Sequence, residues 1–218
     1  MCYIAIALYP TLGRNSSRKG MNMVGSKSVF HARKLTLGAL LTAIVVVLQV
    51  LANFIQPVPG VSITLVLVPI IVGAALLGPV WGGWLGLVFA LTVLLSGGAT
   101  AFLTINSFGT IVTVIVKGVL AGMAAGLVYG WLSKKNQYLA IFCAAVTAPV
   151  VNTGIFLIGC RLFFWNTITE WGKSFGYGNP FAYAILGLAG INFLVELGIN
   201  CLMAPVILRL IRIKQKQS

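Results

Sequence analysis

The chain has 218 residues, of which 59% are hydrophobic and only 8% are charged, and its mean hydropathy is +1.03. A typical soluble domain carries about 25% charged residues, so this composition excludes a soluble globular protein. The formal net charge is +13, from 15 Lys and Arg against 2 Asp and Glu. Because the basic residues lie mostly in the tails and loops, they indicate membrane topology and not a nucleic-acid-binding surface.

Six apolar stretches predict six membrane-spanning helices, since a helix needs about 20 apolar residues to cross about 30 Å of hydrocarbon. Clusters of Gly and Pro, or short basic turns, separate these stretches. The second and third stretches are short, which indicates tilted helices or shielding by other helices. The predicted fold class is an all-α integral membrane protein whose spans cover about 35–55, 61–77, 81–95, 106–131, 138–163 and 181–211.

The distribution of basic residues predicts the orientation of these spans. With the N-terminus inside, twelve of the 15 Lys and Arg residues fall on the cytoplasmic side. Arg161 and Lys173 fall outside, and Lys117 falls within a span. Basic residues are retained on the cytoplasmic side, so we expect both termini to be cytoplasmic. The loops at about 56–60, 97–105 and 164–180 are then outside.

The two ends of the chain differ from the apolar region. Residues 1–30 are predicted to form a cytoplasmic, disordered segment, because the apolar run near the N-terminus is too short to span the membrane and follows no basic region. Residues 1–20 are interpreted either as a disordered extension of the protein or as the product of a translation start upstream of Met21 and Met23. We expect residues 31–212 to form the six-helix domain and residues 213–218 to form a basic cytoplasmic tail.

In the fourth and sixth predicted spans, polar residues recur at helical spacing, which places each set on one helical face. A polar group in lipid is costly, so each face is expected to look toward protein, water or a ligand. The two sets are Asn106, Thr110, Thr113 and Lys117 in the fourth span and Asn192, Glu196 and Asn200 in the sixth. Asn152 and Thr153 lie nearer the outer end of the fifth span.

Lys117 and Glu196 are charged residues within these faces, and they allow two interpretations. The first is a buried ion pair that fixes helix packing. The second is that Lys117, together with Arg161, neutralises an anionic ligand near the outside.

The sequence offers little for catalysis. It contains 1 His and 2 acidic residues, and it has no HExxH, CxxC, GxSxG or Walker motif. We therefore predict that the chain is not an enzyme and has no metal site, no cofactor and no ATPase of its own. The 4 Cys residues are interpreted as small packing residues.

The first predicted span contains a small-residue motif just after Arg33 and Lys34. Ala39 and Ala43 are four residues apart, a spacing that allows close helix approach. With this AxxxA motif, six spans and both termini inside, the chain resembles the substrate-binding S component of an energy-coupling factor (ECF) vitamin transporter. The resemblance covers about residues 30–215. It implies that Ala39 and Ala43 dock on a transmembrane coupling subunit, and that two partner subunits hydrolyse ATP to reorient the binding subunit.

The resemblance also implies that a vitamin binds at the outer side, beneath the outside loops. Trp165 and Tyr177 are expected to cover the ligand. The other expected binding residues are Asn106, Thr110, Lys117, Asn152, Arg161, Asn192 and Glu196.

Three stretches resemble the pantothenate-type branch of this family: ITLVLVP at 63–69, NSFGT at 106–110 and APVVNTG at 148–154. Pantothenate is anionic and amphipathic, which suits a site with Asn, Thr and a cation. Riboflavin, folate and pyridoxine-type ligands remain open. A stand-alone secondary transporter or channel also remains open, although no convincing internal repeat supports it. The implied location is the bacterial cell membrane, as a multi-pass protein.

Overall fold

The computed structural model describes residues 14–54 and 65–216, which form helices joined by short turns and contain no strand. The chain divides into two compact units, Met1–Ala39 and Leu40–Ser218. The first helix, α1, runs Arg14–Phe54. Residues 14–30, predicted to be disordered, are thus helical, while the predictions for residues 1–13 and for the loop at 56–60 lie outside the described residues.

The unit Leu40–Ser218 contains the helix bundle. Its further helices are α2 Leu67–Leu77, α3 Pro79–Leu95, α4 Thr100–Leu103, α5 Ser107–Leu132, α6 Gln137–Phe163, α7 Trp165–Ser174 and α8 Pro180–Ala182, followed by a π-helical segment Tyr183–Gly190 and α9 Ile191–Lys216.

Four helical stretches are long and apolar enough to cross a membrane: Ala32–Asn53, Ser107–Leu132, Gln137–Phe163 and Pro180–Ile213. This confirms the prediction of an all-α membrane protein. α2 and α3 are apolar too, but they have 11 and 17 residues. Large apolar side chains are exposed on the surface of the bundle, as expected where lipid is the solvent; examples are Leu127, Leu162, Leu194 and Leu202.

Local sequence explains where the central helices begin. Asn106 precedes α5, and its side-chain oxygen accepts a hydrogen bond from the Gly109 amide at 2.9 Å. Asn136 caps α6 in the same way, accepting from the Tyr138 amide at 2.9 Å. Such caps satisfy amide donors that a helix leaves unpaired at its start. Gly78, with φ of 105°, allows the sharp turn between α2 and α3.

The short helix α2 is surrounded by protein. It contacts α3, α5, α6 and α9, and Leu67, Ile70 and Ile71 are each no more than 1% exposed. Because neighbouring helices cover it, α2 does not need the length of a lipid-facing span. This supports the shielding that the sequence indicated for the short second stretch.

Glycines bring α3 and α5 into very close contact. A methyl group at Gly86 would collide with the carbonyl of Gly118, and one at Gly82 would collide with the carbonyl of Gly122. Small residues at such positions let helix backbones approach within the membrane, where dispersion forces replace the hydrophobic effect. The two helices are thereby fixed against each other.

The segment 164–180 differs from its prediction as a loop. It contains the helix α7, Trp165–Ser174, with Ile168 fully buried and Gly172 packed against Tyr183. The mixture of polar and aromatic residues suggested a loop, but here it forms an amphipathic helix that lies on the end of the bundle. The segment 97–105 likewise contains the single turn α4.

Candidate functional site

A cavity of about 250 Å³ opens at one end of the bundle. That end is formed by the C-terminal half of α6, the N-terminal half of α5, the turn after α3 and the π-helical segment. It is the end that the predicted topology places outside. The cavity is lined by Val93, Gly97, Gly98, Ala99, Thr100, Ala101, Phe102, Thr110, Thr113, Val114, Lys117, Asn152, Thr153, Phe156, Cys160, Phe164, Leu188, Ala189 and Asn192.

One wall of the cavity is the polar face of α5. Thr110, Thr113 and Lys117 all line it, as the helical spacing of these residues predicts. The Thr110 hydroxyl donates to the backbone carbonyl of Asn106 at 2.8 Å. Thr113 is 6% exposed, and its hydroxyl oxygen has no hydrogen-bond partner among the described residues.

Two asparagines from other helices also line the cavity. Asn152 on α6 is 5% exposed, and Asn192 on α9 is partly buried. Neither side-chain carbonyl oxygen has a hydrogen-bond partner among the described residues. A buried acceptor without a partner costs about 1–3 kcal/mol, so these groups are suited to receive N–H or O–H donors from a ligand.

The cation in the cavity is Lys117. Its ammonium lies 5.5 Å from the ring centroid of Phe156 and 5.9 Å from that of Phe89. Aromatic faces stabilise a desolvated cation. Glu196, which is 2% exposed, lies one helical turn beyond the lining residue Asn192 on α9.

An aromatic cluster covers the other side of the cavity. Phe102 on α4 packs edge to face against Phe156, Phe164 and Trp171, with centroid distances of 5.8, 5.1 and 5.8 Å. Through Trp171, this cluster joins the cavity wall to α7. The cavity therefore combines an apolar aromatic wall with a few placed polar groups, which is the composition of small-molecule sites.

Four of the nine predicted binding residues line the cavity: Thr110, Lys117, Asn152 and Asn192. Two others lie about one helical turn from it. Asn106 is the cap of α5, and Glu196 follows Asn192 on α9. Both belong to the predicted polar faces but are absent from the lining.

Arg161, Trp165 and Tyr177 do not line the cavity. Arg161 is exposed, and its guanidinium lies 4.4 Å from the ring centroid of Trp165. Trp165 in turn packs on Phe181 at 4.6 Å, and Tyr177 on Tyr183 at 5.4 Å. Arg161 follows the lining residue Cys160, and one step along a helix turns a side chain by about 100°.

Sequence reasoning missed most of the apolar lining. Phe156 and Cys160 follow Asn152 at i+4 and i+8, so the spacing alone could have placed all three on one face of α6. No comparable signal existed for Phe102, Leu188 and Ala189. These come from a single-turn helix and a π-helical segment, whose positions depend on tertiary packing.

The wall chemistry is suited to recognition of a ligand. Among the described residues, no group of three His, Cys, Asp or Glu side chains could hold a metal ion. The cavity offers one ammonium, two amides, hydroxyls and aromatic surface. Separately, Ala39 and Ala43 on α1 are both exposed.

A comparison with known protein families supports the resemblance seen in the sequence. The family model described as ECF transporter, substrate-specific component, matches residues 33–208, most of the chain. No curated protein and no solved structure matches the sequence. The helical membrane fold and the family match lead to one conclusion: the chain belongs to the family of substrate-specific components of ECF transporters.

Proposed function

We propose that this chain is the high-affinity vitamin-binding subunit of an ECF-type ABC importer in the bacterial cell membrane, and that its ligand is pantothenate. The observation that carries the proposal is the juxtaposition of Lys117 with Asn152 and Asn192 in one cavity, where both amide oxygens have no partner among the described residues. An anion with hydroxyl and amide donors complements such a wall.

The cavity size supports a compact ligand. About 250 Å³ lies just below the range of about 300–1,000 Å³ found for small-molecule pockets. Pantothenate is smaller than riboflavin or folate. In the proposed arrangement its carboxylate lies near Lys117, its hydroxyl and amide donors reach Asn152 and Asn192, and its gem-dimethyl group packs on Phe102 and Phe156.

The proposed topology has six spans and two cytoplasmic termini. In this proposal the six spans are the four long apolar helices together with the shorter α2 and α3. The charge distribution favours an arrangement in which the cavity faces outward, as capture of an external vitamin requires.

The proposed partners are a transmembrane coupling subunit and two ATP-hydrolysing subunits. Ala39 and Ala43 are the proposed docking residues, and their exposure is compatible with that role. The sequence contains no Walker motif, so ATP would be used by the partner subunits to drive reorientation of this chain in the membrane.

The test combines ligand identification with a substitution in the cavity. Ligand extraction and mass spectrometry on the detergent-purified chain are expected to yield pantothenate. In calorimetry, Asn152→Ala is expected to weaken pantothenate binding by about 1–3 kcal/mol, because a ligand donor loses its acceptor. Asn166→Ala, which removes an exposed amide on α7, is the matched control and is expected to bind normally.

Three results would redirect the proposal. Unchanged affinity in Asn152→Ala would remove this residue from the site. Extraction of riboflavin, folate or a pyridoxine-type vitamin would replace the ligand while keeping the function. Solute flux through liposomes containing this chain alone would instead favour a secondary transporter or channel.

A further inference from the structure

The segment that follows α3 supplies the longest continuous part of the cavity wall. Residues 97–102 all line the cavity, and Phe102 belongs to its aromatic cluster. The backbone turns sharply where this segment begins, since Gly97 has φ of 84° and the Gly98 amide donates back to the Val93 carbonyl at 3.1 Å. The segment continues into α4, a helix of 4 residues. A helix this short is not stable by itself, so contacts with other elements must fix its position.

One such contact comes from α1. Asn53 lies in the last turn of α1 and is partly buried. Its side-chain nitrogen donates to the backbone carbonyl oxygen of Ser96 at 3.1 Å and also to the Ser96 hydroxyl oxygen. Ser96 follows α3 directly and precedes the lining segment 97–102. These hydrogen bonds therefore tie the end of α1 to the start of the lining segment.

The orientation of the Asn53 amide is fixed by its other contacts. Its oxygen accepts a hydrogen bond from the side-chain nitrogen of Gln49, one turn earlier on α1, at 3.4 Å. The same oxygen lies close to Gly98, because a Cβ built there would be 3.2 Å from it. Reversal of the amide would place its oxygen against the carbonyl oxygen of Ser96, where both groups are acceptors. Asn53 thus contacts the turn at both Ser96 and Gly98, although it does not line the cavity itself.

We propose that Asn53 is a positioning residue for the ligand, because its hydrogen bonds to Ser96 hold the lining segment 97–102 in place. The inference rests on the proposed function, and it adds to that function a residue outside the cavity that sets the affinity. A wall that is already fixed costs little to order when the ligand binds, whereas a mobile wall must be ordered at the expense of affinity.

The first experiment is calorimetry of the purified full chain with pantothenate, which gives the Kd and the number of binding sites separately. Asn53→Ala is expected to raise the Kd about tenfold, as loss of the hydrogen bonds predicts, while the number of sites stays the same. A role in stability alone would instead reduce the number of sites and leave the Kd of the folded molecules unchanged.

Thr92→Val is the matched control on α3. It removes the hydrogen bond from the Thr92 hydroxyl to the Val88 carbonyl, 2.8 Å long, which lies within one helix and does not join two elements. This variant is expected to keep the native Kd. A Kd raised as much as in Asn53→Ala would overturn the specific role of the contact between α1 and the turn.

A double-variant cycle assigns the effect to the contact with Ser96. Ser96→Ala removes the hydroxyl acceptor and leaves the carbonyl acceptor, so it is expected to raise the Kd less than Asn53→Ala does. When Asn53→Ala is already present, Ser96→Ala is expected to cause no further loss of affinity. Losses that multiply in the double variant would overturn this contact as the cause.

Amide hydrogen exchange tests the wall in the ligand-free chain. The amides of Phe102 and Leu103 donate to the Ala99 carbonyl at 3.1 and 2.9 Å, so their exchange reports opening of this region. Asn53→Ala is expected to increase their exchange rates about tenfold, while Thr92→Val leaves them unchanged. Native exchange rates in Asn53→Ala would overturn the hold on the wall.

Failure of this inference can be told apart from failure of the proposed function. If the native chain binds pantothenate and Asn53→Ala keeps the native Kd, the positioning role is overturned and the proposed function stands. If the native chain does not bind pantothenate, the ligand assignment fails, while the exchange experiment still decides whether Asn53 holds the wall.

Discussion

The contact between α3 and α5 gives the sharpest structural prediction, the effect of Gly86→Ala. An ideal Cβ at Gly86 would lie 2.6 Å from the carbonyl carbon of Gly118 and 3.2 Å from the Cα of Val119. Non-bonded carbons are most stable about 3.5–4.0 Å apart, so the helices must separate by about 1 Å. Backbone atoms cannot rotate away as a flexible side chain can, and the whole interface therefore moves.

The expected cost is about 1–3 kcal/mol of the free energy of unfolding, the range for overpacking a close contact. It is measured by thermal unfolding of the detergent-purified protein. Gly130→Ala is the matched control on α5, because a Cβ there meets nothing within 4 Å. Lys117 lies one residue before Gly118, so ligand affinity is expected to fall in Gly86→Ala as well. Equal stability of the two variants would refute the reasoning.

Two further predictions concern the ligand and the partner. Lys117→Met is expected to weaken pantothenate binding by about 2–5 kcal/mol, because the ligand carboxylate would be buried without its partner. Binding of pantothenol, the uncharged alcohol analogue, is expected to change little, and Arg161→Met is the control. Equal losses of affinity for both ligands would contradict a contact between the Lys117 ammonium and the ligand carboxylate. Ala43→Trp is expected to reduce vitamin uptake by cells and co-purification of the coupling subunit, because overpacking a close helix contact costs about 1–3 kcal/mol. The affinity for the vitamin, measured by calorimetry, is expected to stay normal. Leu202→Trp, at an exposed apolar position of α9, serves as its control, and loss of ligand binding in Ala43→Trp would argue against docking.

Much of the helical framework could be predicted from the sequence, because few backbone structures satisfy their own hydrogen bonds within lipid. Apolar length and Gly or Pro breaks predicted the helices at 106–131 and 138–163, and the structure has Ser107–Leu132 and Gln137–Phe163. Helical spacing predicted the shared face of Thr110, Thr113 and Lys117, because residues that recur about every 3.6 positions lie on the same side of a helix. These are local properties of the chain.

The outside segments were predicted less well. Residues 164–180 were expected to form a loop, yet α7 buries Ile168 there and contributes Trp171 to the aromatic cluster. Arg161 was expected at the ligand, but it stacks on Trp165 outside the cavity. Composition identifies a residue as polar or aromatic, but it does not give the direction of a side chain at the end of a bundle.

What the sequence determined by itself is therefore the set of apolar helices, their polar faces and the number of charges that the membrane region holds. The tertiary structure decided which faces meet: glycines set the approach of α3 to α5, and the π-helical segment brings Leu188 and Ala189 into the cavity that Lys117 also lines. The physical reason is that periodicity is fixed by bonds along one helix. A cavity is fixed by packing between helices far apart in sequence.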